Sequence, residues 1–185
     1  MTIFNDFPVC FPDGRFNELY EPDGAFRQEC MPFVKACENE SAETIAFYAQ
    51  QTNRLFSSEL SMVASDGQSR LTHAFLPFFL SVGDFELLEK GLIQRAQVLN
   101  AALVDFYGER NLIKKGVIPA QVLFGHRNYL PALNGVIPDN MIFLKEYTVD
   151  VERAPDGRFW VVGEKTQMPL NIGLTVETRL LLSRV

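Results

Sequence analysis

The sequence predicts an α+β protein, helical in its N-terminal part and closed by a β-hairpin and a final helix. Three observations carry this. Between Ser41 and Arg110 the apolar residues recur at spacings of three and four, the period of a helix with one buried face. MIFLKEYTVDV alternates and leads through Pro155-Asp156-Gly157 into RFWVVG, the pattern of two strands joined by a turn. The last residues, RLLLSRV, return to a helix-like apolar run.

The elements follow in order. Residues 1–24 carry Pro8, Pro12, Pro22 and the pairs Asp13-Gly14 and Asp23-Gly24, which predicts an extended N-terminal arm; residues 25–185 form the body. A helix is expected from Ala25 to about Glu38, disturbed by Pro32. Ser41 is a good N-cap for a longer helix with Ile45, Tyr48, Thr52, Leu55, Phe56, Leu60 and Val63 on one face, ending near Ser65-Asp66-Gly67. Ser81 and Asp84 resemble an acidic variant of the capping box and open DFELLEKGLIQRAQVLNAALVDFYGER. There Phe85, Leu88, Leu92, Ala96, Leu99, Leu103 and Phe106 make an apolar stripe. Gly91 within it implies a close backbone approach, since glycine costs roughly 1 kcal/mol against Ala in a helix. After Gly108, Gly and Pro divide the chain into connectors or short helices up to Asn140. In the first hairpin strand Ile142, Leu144, Glu146, Thr148 and Asp150 share a face. Asp150 either projects into a cleft or belongs to a solvated face.

Composition narrows the function classes. A chain of 185 residues with 47% hydrophobic and 22% charged residues can bury a sizeable core. A net charge of -6 and a pI near 5.0 argue against nucleic acid, which needs a concentrated basic face. The most apolar stretch, HAFLPFFLSV, is too short to span a membrane and is broken by Pro77, and the N-terminus lacks a basic, then apolar, leader. Cytoplasm is the expected location. Cys10, Cys30 and Cys37 show no CxxC spacing and read as buried free thiols. His73 and His126 stand alone and make no metal site. Phosphate loops, dinucleotide fingerprints and nucleophile elbows are all missing.

Arg95 is the unusual residue of the long helix. At 100° per residue it lies about 50° from the centre of the apolar stripe, where a guanidinium needs a carboxylate partner or a bound anion. The pattern leaves both readings open, a structural ion pair and a ligand contact.

GLIQRAQVLNAALVDFYGERNLIKKGVIP (Gly91 to Pro119), NYLPALNGV, YTVDVERAPDGRFWVV and VETR (Val176 to Arg179) follow one another at characteristic intervals. In this order they resemble the N-terminal part of the circularly permuted ATP-grasp proteins, a group related to glutathionylspermidine-synthase-like ligases. The likeness runs from about Phe16 to Arg179. It implies part of a permuted ATP-grasp-like fold, and the activity of ATP-dependent ligases that join a carboxylate to an amine through an acyl-phosphate. In such proteins an Asp on the first strand is followed across the hairpin by Glu-Asp-Asn, then an Arg and a Pro, oxygen ligands suited to Mg²⁺ on ATP phosphates.

Set against that pattern, Asp150 and Pro169 are retained, but Gly163, Glu164, Lys165 and Gln167 stand where the resemblance calls for Glu, Asp, Asn and Arg. The implied metal residues are therefore Asp150 and Glu164, and the implied anion contacts Arg95 and Arg179. Mg²⁺ and ATP are implied by the family alone, and no cofactor is expected for the chain in isolation. The favoured expectation is a catalytically degenerate region whose partner is the remainder of the same gene product or another copy of itself. A working component of the ligase and a plain interaction module are the alternatives.

Overall fold

The computed structural model describes residues 15–59, 76–136, 138, 140–167 and 172–184. Two compact units divide the chain. The first comprises Met1–Phe85, Val151–Trp160 and Leu170–Val185, the second Glu86–Asp150 and Val161–Pro169. The elements are α1 (Met31–Glu38), α2 (Ala42–Glu59), α3 (Val82–Tyr107), α4 (Asn111–Lys114), α5 (Ala120–Phe124), β1 (Thr148–Arg153), β2 (Phe159–Lys165) and α6 (Ile172–Leu182). This mixture of helices and a two-stranded sheet is the α+β class expected.

In the first unit, the described end of the expected arm is folded rather than extended. The Asn17 side chain accepts the backbone N–H groups of Leu19 and Tyr20, and Tyr20 pairs with Phe26 in an antiparallel bridge with the rings stacked at 4.7 Å. Arg27 secures the loop by donating to Asn17 O at 2.8 Å and pairing with Glu21 at 3.0 Å. Local side-chain acceptors thus satisfy a backbone that proline and glycine keep out of helices. Helix α1 starts later than expected, after a 3₁₀ turn at Gln28–Cys30, and Pro32 falls in its first turn, where the missing N–H costs no helical bond.

Ser41 caps α2 as expected, its hydroxyl accepting the Thr44 N–H at 3.1 Å. Cys30, Val34, Cys37 and Ile45 form one buried cluster, with Leu19, Phe26, Phe33 and Phe79 packed against it. Both thiols are free and buried; burial pushes Cys30 up to about 11 and Cys37 in the same direction. A second cluster joins Phe56 and Leu55 of α2 to Leu181 and Leu174 of α6. The final helix therefore folds back onto the unit, burying Leu181 completely, which is worth roughly 1.5–3 kcal/mol. Cys10, Leu60, Val63, His73 and the expected helix end at residues 65–67 lie outside the described residues.

Ser81 starts α3 by accepting the Asp84 N–H at 3.0 Å. The Asp84 carboxylate is paired with Arg153 at 3.1 Å. Arg153, its side chain only 7% exposed, also meets Glu18 at 3.0 Å and lies between the rings of Phe159 and Phe16 at 4.1 and 4.5 Å. Burial nevertheless pushes the Glu18 carboxyl up, with Arg153 opposing it. The hairpin turn forms as expected: Ala154 and Arg158 are hydrogen-bonded at 2.8 Å, and Gly157 takes φ 83°, a left-handed conformation that glycine tolerates at no steric cost.

The second unit is built on α3 from Glu86 onward. Leu88, Leu92, Ala96, Leu99, Leu103 and Phe106 are half-buried as the stripe requires. Phe85, just outside this unit, is 55% exposed. The close approach expected at Gly91 is not found: Gly91 is exposed, and a Cβ there would have no neighbour within 4 Å. Around Tyr107 an aromatic stack gathers Tyr129 at 5.3 Å and Phe143 at 5.8 Å. The first hairpin strand is shorter than its alternation suggests, because residues 141–147 are not strand. Asn100 of α3 holds that segment instead, accepting Phe143 N–H at 2.7 Å and Leu144 N–H at 3.3 Å and donating to Met141 O at 3.1 Å. A side-chain amide has replaced a ladder partner. Among the described residues no helix is long and apolar enough to cross a membrane.

Candidate functional site

Three of the four residues singled out in the sequence lie in the second unit. Asp150 stands on β1, Glu164 on β2 and Arg95 on α3. Arg179 lies on α6 in the first unit, exposed, with no ion pair among the described residues.

Arg95 is held by an acidic partner, but its burial is less than its helical position suggests: its side chain is 49% exposed. Its Nε donates to Glu164 Oε1 at 2.8 Å, and its Nη2 donates to the same oxygen. The Tyr147 hydroxyl adds a third bond to that atom, at 2.8 Å. These donors hold the Glu164 carboxyl below its ordinary range, with Arg95 the larger cause and Tyr147 the next. Arg95 is raised in turn, chiefly by its hydrogen bond to Glu164. Tyr147 is pushed up by burial first and then by the neighbouring carboxylate.

Asp150 meets Lys165 of the same hairpin. The ammonium lies 3.1 Å from Oδ1 and 3.0 Å from Oδ2, and both side chains are about half-exposed. Asp150 thus belongs to a solvated strand face. Gly163 adjoins this pair, and a Cβ built on it would stand 2.9 Å from Asp150 Oδ2. The hydrogen at position 163 leaves room for the carboxylate to sit against the sheet.

A divalent cation needs several hard oxygen ligands turned toward one point. Here one carboxylate faces an ammonium and the other a guanidinium. Among the described residues no three His, Cys, Asp or Glu side chains gather in a metal-holding group. As arranged, this donor set does not fit Mg²⁺.

Tyr147 and Arg153 carried no clear signal in the sequence. Tyr147 sits on an alternating segment where an aromatic is ordinary, and the ion pairs of Arg153 join positions 18, 84 and 153. An arginine placed between Val151 and the turn is the one hint available for the latter.

A hairpin that pairs Asp150 and Glu164 each with a basic residue, beside a long helix that supplies one of the bases, defines an α+β protein with a strand-borne charged site. The chain belongs to the circularly permuted ATP-grasp family: the family described as circularly permuted ATP-grasp type 2 matches residues 77–185. Its curated relatives are uncharacterised. Proteins of Mycobacterium tuberculosis and Mycobacterium bovis are 39% identical over 104 residues, covering 56% of this chain and 12% of their own length. One of Mycobacterium leprae is 24% identical over 171 residues, covering 92% of this chain and 30% of its own. A Synechocystis protein is 23% identical over 173 residues, covering 91% of this chain and 36% of its own. The chain therefore spans well under half the length of these relatives.

Proposed function

We propose that this chain is a catalytically degenerate region of a circularly permuted ATP-grasp protein, and that it acts within a larger gene product or together with another copy of itself. The observation that carries the reading is Lys165 on Asp150, with both oxygens within 3.1 Å of the ammonium. A tethered ammonium supplies the neutralising charge that a carboxylate in this position would otherwise take from a metal ion, and a cation cannot ligate a cation. Arg95 does the same for Glu164. Within the family, kinship to glutathionylspermidine-synthase-like ligases is part of this proposal.

The need for a larger assembly rests on burial. Every fully buried residue among those described belongs to the first unit. The second unit exposes Ile93, Val98, Val117, Val122 and Phe124 by half or more, apolar side chains that a partner surface would remove from water.

Titration calorimetry with Mg²⁺-ATP tests the reading. Negligible binding by the chain is expected. Micromolar binding that disappears in Asp150→Asn would instead favour an active component of an ATP-dependent carboxylate-amine ligase. One observation speaks for that second reading: the three hydrogen bonds on Glu164 all fall on Oε1 and leave Oε2 outside them.

A further inference from the structure

The second unit contains a depression of about 660 Å³ between the C-terminal half of α3 and residues 140–144, within the size range of small-molecule sites. We propose that it binds a small organic ammonium ion with an apolar tail. This inference stands apart from the metal question, since neither Asp150, Glu164, Lys165 nor Arg95 lines it.

The lining sets the chemistry. Val104 and Met141 are among the apolar residues of its floor, Gln97 and Asn140 present amides, and Asp105 and Glu109 present carboxylates. No Lys, Arg or His is among the described residues that line it. A phosphate or carboxylate ligand would meet two carboxylates, offset among the described residues only by Lys114, which reaches Glu109 from outside the lining at 3.5 Å, so the nucleotide of an ATP-grasp protein is a poor occupant. A cation meets both charges favourably, and an alkyl tail finds the floor.

Asp105 is held toward its anionic form by backbone donors. Burial raises its carboxyl, but the N–H groups of Leu112 and Asn111, donated at 2.9 and 2.8 Å, more than offset this and hold it below its ordinary range. The Asn111 side chain adds a further hydrogen bond to this carboxylate, whose two oxygens together can accept about four. Among the described residues Glu109 pairs with Lys114, at 3.5 Å and with both side chains mostly exposed, a contact a ligand can displace.

The walls are also fixed before any ligand arrives. Asn100 ties Met141, Phe143 and Leu144 to α3, and Asp105 ties the start of α4 to the end of the same helix. A site whose two sides are held by hydrogen bonds spends little ordering energy on binding.

The test uses two probes with similar tails and opposite charges. The ¹⁵N-labelled chain is titrated at pH 7 with n-butylammonium chloride and, separately, with sodium butyrate. Butylammonium is expected to give saturable shifts confined to the amides of residues 96–111 and 140–144. Its dissociation constant should lie in the millimolar range proper to so few atoms, roughly ten-fold or more below that of butyrate. Glu109→Gln should weaken butylammonium about three-fold or more while the remaining amide spectrum stays that of the folded chain. Equal binding of the two probes, tighter binding of butyrate, an unchanged affinity in Glu109→Gln, or no saturable shift with butylammonium would each overturn the proposal.

Discussion

Lys165 lies against Asp150 with its ammonium 3.0 Å from one carboxylate oxygen and 3.1 Å from the other, beside a Gly163 whose missing side chain leaves that carboxylate its place. Gly163 and Lys165 are complementary. An added carboxylate at 163 would crowd and repel Asp150, whereas glycine with a neighbouring lysine leaves it paired. The hairpin is thus consistent within itself as a charged, ion-paired surface.

Two glutamates should respond to pH in opposite senses. Glu164 is lowered below its ordinary value of 4.5, so its contribution is present above that value and is lost as pH falls through the depressed one. Glu18 is raised, so the folded state binds its proton more tightly than the unfolded chain does; its contribution weakens as pH rises from 4.5 through the raised value. Carboxyl-carbon NMR titration should show the Glu164 midpoint rising toward 4.5 in Arg95→Met. An unshifted midpoint would mean that Arg95 does not govern that carboxyl.

Arg153→Met should be strongly destabilising. The side chain is 7% exposed, and its loss leaves Glu18 and Asp84 facing each other in partly buried surroundings without the cation they share. Breaking a buried pair from one side typically costs 3–5 kcal/mol, about that range here. Urea denaturation measures it. Arg158→Met, whose partner Asp156 is exposed, is the control and should change stability by under about 1 kcal/mol.

Two backbone substitutions should stabilise the chain. Gly91→Ala meets open space in the middle of α3 and should gain about 1 kcal/mol. Arg110 holds φ 59° and ψ 38°, a left-handed conformation disfavoured for residues with a Cβ, so Arg110→Gly should gain up to about 1 kcal/mol. Thermal denaturation decides both, and a lowered midpoint in Gly91→Ala would show that the α3 surface is less open than its geometry indicates.

Signals local in sequence proved readable. Ser41 and Ser81 announce helix starts because a cap is decided by the three residues that follow, and Pro155-Asp156-Gly157 announces the hairpin because a turn closes over a few residues. What was hidden depends on distant partners. Alternation from Met141 onward reads as strand, yet Asn100, some forty positions away, takes the hydrogen bonds of that segment. Gly91 suggested a packed backbone because propensity makes glycine costly, and the structure leaves its surroundings open. Arg95 was legible as a residue in need of a partner. Its helical angle carried no information about Tyr147, which joins it on Glu164.

The most direct test of the account is to rebuild the site and measure Mg²⁺ binding by calorimetry in the native chain and in Gly163→Glu/Lys165→Asn. The double variant removes the tethered cation and sets a second carboxylate beside Asp150, whose side chain must shift to admit it and whose repulsion a bound Mg²⁺ would offset. The account predicts no measurable Mg²⁺ binding by the native chain and a gain of binding in the double variant that Asp150→Asn abolishes. Native binding as tight as that of the double variant, lost on Asp150→Asn, would contradict it.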